Sequence, residues 1–187
     1  MVLALFSFVF FIIVALKSNV DVLKNLSTQK LISRQDVEQT FQIMTSEIRS
    51  AAVSSIGSYP LITTTSSTFS FYSDIDHDNL FEQVTYSLSS STIIKTVIKP
   101  IGNPLSYPTS TQIISSVVEY VVLASSTPLF QYFDSSYTGT EDALSEPISI
   151  SAVRSVLVSF YTDLDPGVVV RPVFFQNFVT IRNLRSN

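Results

Sequence analysis

A chain of 187 residues with a formal charge of -4, no cysteine and one histidine is long enough for one medium domain with its own core plus an appendage. Its eleven Lys and Arg are dispersed rather than gathered in a basic stripe, which argues against a nucleic-acid binder. The missing cysteines remove disulfides, thiolate catalysis and cysteine-zinc sites together.

The chain opens on MVLALFSFVFFIIVAL, in which only Ser7 is polar. As a helix these residues would span about 24 Å, short of the roughly 30 Å of a hydrocarbon core. They carry neither the basic leader nor the small-residue cleavage site of a secretory signal. An element that is apolar on every face must be enclosed on every face, so residues 1–19 are read as an anchor helix to be buried in a membrane or in a bundle of like helices. Its missing turn and basic leader are expected upstream of Met1. The side chains that would be enclosed are Val2, Leu3, Leu5, Phe6, Phe8, Val9, Phe10, Phe11, Ile12, Ile13, Val14 and Leu16.

From residue 20 to 53 no Pro or Gly interrupts. Val37, Phe41, Met44 and Ile48, followed by Ala51 or Ala52, recur at three- and four-residue steps, which predicts one apolar helix face turned to a sheet. Ser33-x-x-Asp36 has the spacing of a capping box within a more polar centre. Gly57 and Pro60 predict a helix end near Ile56. The expectation is a rod of roughly 80 Å at 1.5 Å per residue, apolar in its first part and amphipathic over 20–56.

After Pro60 the period changes from 3.6 to 2. Phe69 and Phe71, then Val84, Tyr86 and Leu88, then Val156, Val158 and Phe160 alternate with polar neighbours, the pattern of antiparallel strands with one solvated face. Strands are also predicted at 92–99, 111–123, 129–133 and 173–182, with 63–68 as loop or edge strand. Turn-rich linkers lie at 102–108 and 135–147. The fold class expected is α+β, a long N-terminal helix packed on an antiparallel sheet, with residues 57–187 forming a β-rich globular domain.

Asp74, Asp76 and Asp78 have the alternate spacing of calcium-ligating oxygens, but an EF-hand would need Gly at Asn79 and Glu at Thr85. A hairpin turn in which short side chains bond their own backbone is the simpler expectation. Tyr132 and Tyr137 are expected at the surface, in reach of a ligand, although aromatic side chains are ordinary in β domains. Enzymatic patterns are thin: any Ser-His-Asp triad would have to use His77, and no Gly-x-Ser-x-Gly elbow occurs. No catalytic residue is assigned.

The order of these parts resembles the type IV pilin family, and within it the minor pilins and pseudopilins of pilus and type II secretion machines. MVLALFSFVFF is similar to the continuation of that family's Gly-Phe-Thr-Leu-Ile/Val-Glu-Met-Val segment from its Met onward. FSFYSDIDHDNLFEQVTYSL at 69–88, LFQYFD at 129–134, VRSVLVSFYTD at 153–163 and FVTIRNL at 178–184 are similar to its aromatic strands and acidic turn. The resemblance implies a structural subunit of a type IV pilus or type II secretion-like filament. It further implies a single-pass protein of the bacterial inner membrane before assembly, with an extracytoplasmic domain. The partners implied are other pilin or pseudopilin subunits and an inner-membrane assembly platform, and calcium is the one cofactor it admits, without placing it at the acidic loop. The competing expectation is a membrane-anchored extracellular β-domain that binds carbohydrate or protein.

Overall fold

The computed structural model describes residues 34–123, 127–163 and 172–184. The chain divides into two compact units, Met1–Asp36 and Val37–Asn187; of the first, only residues 34–36 are described, and they open helix α1 (34–49). The expected capping residue Ser33 and the apolar residues from Val2 to Leu16 lie outside the described residues.

The expected long helix packed on one sheet is corrected. Among the described residues α1 is the only α-helix, and the fold is mostly β, in two antiparallel sheets. The helix stops at 49 because the following backbone groups find better partners elsewhere. The Ser50 hydroxyl donates back to the carbonyls of Ser46 and Glu47 at 3.1 and 3.0 Å, a local competition that weakens continuation of a helix. The Ala52 N–H then donates to the Tyr72 carbonyl at 2.9 Å. Gly57 has its positive φ, +84°, inside a turn closed by its own N–H on the Ser54 carbonyl at 2.9 Å. The glycine signal was a turn signal, not a helix cap.

The first sheet has the order β1 (Leu61–Thr64), β2 (Thr68–Ser73), β3 (Glu82–Ser89), β4 (Thr92–Ile98), β5 (Gln112–Val118), a plain meander. In the second, β8 (Ser155–Thr162) is central. It pairs with β9 (Val173–Thr180) and, at its two ends, with β6 (Val121–Val122) and β7 (Phe130–Phe133). The strand expected at 111–123 is two strands in two sheets. Tyr120 takes φ +54° between them, a conformation uncommon for a bulky residue. It is held by hydrogen bonds from Asp163 N–H to its carbonyl at 3.0 Å and from Thr162 Oγ1 to the Glu119 carbonyl at 2.8 Å.

The inner faces of both sheets and α1 share one core. Phe69 packs on Phe130 and Tyr132, with ring centroids 5.8 and 5.5 Å apart, which joins sheet to sheet. Phe41 meets Phe160 edge-on at 5.3 Å and Phe175 at 6.3 Å, a favoured arrangement of ring quadrupoles. Phe41, Met44, Ile48 and Ala51 are all buried, and Val37 packs against them. The outer face of β2 departs from the solvated face that alternation predicts: Ser70 and Tyr72 are buried too, as is Ser73 on the face of Phe69 and Phe71. Tyr72 packs on Tyr107 at 5.1 Å, Ser70 bonds Thr85 at 2.7 Å and Ser73 bonds Ser50 at 2.8 Å, so short polar side chains are satisfied where loop 99–111 and the end of α1 cover them.

Candidate functional site

Three places gather chemistry. The first is the acidic turn between β2 and β3. Asp74, Asp76 and Asp78 bring carboxylate oxygens within 4.8 Å of one another. Asp74 accepts the N–H groups of Asp78 and Asn79, both at 3.1 Å, and Asp78 accepts that of Leu80 at 2.8 Å. His77 and Asn79 adopt positive φ, +63° and +68°, the geometry of a tight turn whose short side chains replace backbone partners. The Lys99 ammonium sits between Asp76 and Asp78, 2.6 and 2.5 Å from their oxygens. Those bonds raise the lysine pKa, and the hydrogen bond from Lys99, followed by that from Leu80, lowers the Asp78 pKa. A calcium ion would have to displace this ammonium. Lys99 is 21 residues from Asp78 along the chain, and no local spacing pointed to it.

Beside this turn lies Glu82, the first residue of β3 and only 2 % exposed. Its Oε2 accepts the Ile75 N–H at 3.0 Å, while Oε1 is buried without a hydrogen-bond partner. Burial raises its pKa, and the charges of Asp76 and Asp78 add to the rise. Glu82 was not singled out from the sequence, although its place two residues before Val84 and four before Tyr86 puts it on their face of β3.

The second place is the latch of α1 on the first sheet. Glu47 accepts from the Tyr86 hydroxyl at 2.6 Å and pairs with Lys95 at 2.5 Å. The Lys95 ammonium lies 5.8 Å from the centre of the Tyr86 ring. Burial, and then the Glu47 charge, pushes the Tyr86 hydroxyl far above the usual phenol range, so Tyr86 remains a donor. This latch was not anticipated, because Glu47 reads in the sequence as a residue off the apolar face.

The third place is a cleft of about 320 Å³ between the end of β7, β8 and β9, lined by Asp134, Tyr137, Arg154 and Phe178 among others. Tyr137 stacks on Phe178 at 5.1 Å and 26° and touches Phe133 at 4.2 Å. Ser136 holds Asp134 Oδ1 through its N–H and hydroxyl at 2.9 and 2.7 Å, bonds that lower the Asp134 pKa. The expected surface position of Tyr132 is corrected. It is 1 % exposed, and its hydroxyl donates to the Thr65 carbonyl at 2.9 Å. Tyr137 is half-buried.

No helix among the described residues is long and apolar enough to cross a membrane, and the single-pass inner-membrane placement expected from the sequence is withdrawn on that finding. No protein-family model matches the chain, and no curated protein matches it.

Proposed function

We propose that this chain is a structural, non-catalytic subunit of a filament of the minor pilin or pseudopilin kind. The observation that carries the reading is the seating of α1. Phe41, Met44, Ile48 and Ala51 lie in the core shared by both sheets, and Glu47 is tied to two strands of the first sheet. A pull on the chain at α1 is therefore passed to the whole β core rather than to a single loop. Upstream in the sequence stand sixteen residues with one polar side chain, whose withdrawal from water needs other apolar surface. The same segment of neighbouring copies supplies such surface, and head-to-tail contacts that do not close build a fibre. The likeness of residues 69–88 to the strand, acidic turn and strand of minor pilins points the same way.

Deleting the gene should abolish or shorten a surface filament or block a secretion step. Val9→Asp should keep the chain out of filaments, because an unpaired charge among apolar segments is costly, while leaving the β core folded. Normal incorporation of Val9→Asp, or full rescue by a chain lacking residues 1–16, would overturn the reading. A second reading, a β-domain that binds a ligand, is favoured by the cleft at Tyr137 and Phe178, where ring faces stand beside a carboxylate and a guanidinium. Loss of adhesion in Tyr137→Ala with filaments intact would support that second reading.

A further inference from the structure

Strand β5 is an edge of the first sheet, paired with β4 on one side and with no strand on the other among the described residues. Residues 112–116 are exposed on both faces, and Ile113 and Ile114, at 67 % and 62 %, are the most exposed large apolar side chains among the described residues. The register shows why. Phe71, Val84, Val97 and Ile113 form one row across the sheet; Phe71 and Val84 are fully buried, and the row runs past its cover at Ile113. Ile114 projects from the opposite face, beside Thr96.

Natural edges of this kind are blunted by charges or prolines, and β5 has neither. From residue 100 to 118 there is no Lys, Arg, Asp, Glu or His. The pattern of charge decides among occupants. In a contact between identical edges any charge near the two-fold axis meets its own copy, so a homotypic edge must be uncharged, whereas an edge built for a charged partner strand would carry the opposite sign. The N–H and C=O groups of an antiparallel edge are self-complementary about such an axis.

We propose that β5 is a homotypic docking edge: two copies of this chain pair β5 to β5, antiparallel and centred near Ile114, joining their first sheets into one. With that centre, residues 110–118 of each copy face uncharged residues only. The contact is isologous and closes as a pair, so it is separate from the head-to-tail contacts of a fibre and does not depend on the filament reading.

The chain has no cysteine, so single introduced cysteines report the contact in the full-length chain. Under a mild oxidant Ile114→Cys should give a disulfide-linked dimer, and Ser149→Cys, on an exposed loop, should not. Adding Ile113→Lys to Ile114→Cys should lower the dimer yield on the order of tenfold by bringing like charges together, with the melting temperature unchanged because residue 113 is exposed. Equal yields at 114 and 149, a yield at 114 that is insensitive to Ile113→Lys, or linkage of Ile114→Cys to a different protein would each overturn the proposal. Normal filaments built with Val9→Asp, with the Ile114→Cys dimer still formed, would count against the filament reading alone.

Discussion

The Tyr86 hydroxyl on β3 donates to Glu47 on α1 at 2.6 Å, and the same carboxylate holds Lys95 of β4. The pair of side chains Lys95 and Glu47 is only 15 % and 12 % exposed, so removing one partner strands the other. Glu47→Ala is expected to cost about 3 kcal/mol, at the lower end of the range for breaking a buried pair because some solvent remains. Adding Lys95→Met should recover part of the loss. Urea unfolding of the single and double variants measures this, and a Glu47→Ala cost below about 0.5 kcal/mol, the size of an ordinary surface effect, would show that the latch carries no stability.

Phe41 and Gln42 are neighbours on α1 with opposite fates: Phe41 is buried against Phe160 and Phe175, and Gln42 is exposed. Phe41→Ala should cost about 3 to 5 kcal/mol through lost burial and a residual cavity, and Gln42→Ala should fall within about 0.5 kcal/mol of the parent. Similar melting temperatures for the two would refute the assigned face.

Glu82 supplies a pH dependence whose sign follows from its burial. Its folded pKa is raised, chiefly by desolvation, so the folded state binds its proton more tightly than the unfolded chain does. The favourable linkage is full below the unfolded value of about 4.3 and is lost as pH rises through the folded pKa. Glu82→Gln should therefore raise the melting temperature at pH 7 relative to its effect at pH 3. A stabilisation of the same size at both pH values would remove the carboxyl as the cause.

Lys99 occupies the acidic turn between Asp76 and Asp78. Calcium at about 1 mM, the upper end for weak extracellular sites, should leave the melting temperature of the parent chain unchanged. Lys99→Ala, which frees both carboxylates, should be the more calcium-sensitive of the two chains. A rise in the parent equal to that in Lys99→Ala would mean that the ammonium is no competitor.

Of these sites, the sequence showed the parts that are local. The short Asp and Asn side chains of 74–79 marked a turn, and the three- and four-residue steps of Phe41, Met44 and Ile48 marked a helix face. Lys99 and the Glu47 latch depend on strands brought side by side from distant segments, and no pattern within a window of residues encodes them.

The sequence by itself determined where period-2 segments lie, that Phe69 shares a face with Phe71 and Val84 with Tyr86, and which residues make turns, because pleat, helix pitch and turn preference are properties of neighbouring residues. The tertiary structure alone decided that α1 ends at 49 rather than near 56, since the competing acceptor for the Ala52 N–H is the carbonyl of Tyr72. It alone decided that 111–123 breaks at Tyr120 to serve two sheets, held by Asp163 and Thr162 from the far end of β8. It also decided that Tyr132 turns inward to donate to Thr65, while Ile113, as apolar as any core residue, is left in water at the end of its row. Burial and hydrogen-bond partners are settled by what the rest of the chain places alongside, and that is not written at the position itself.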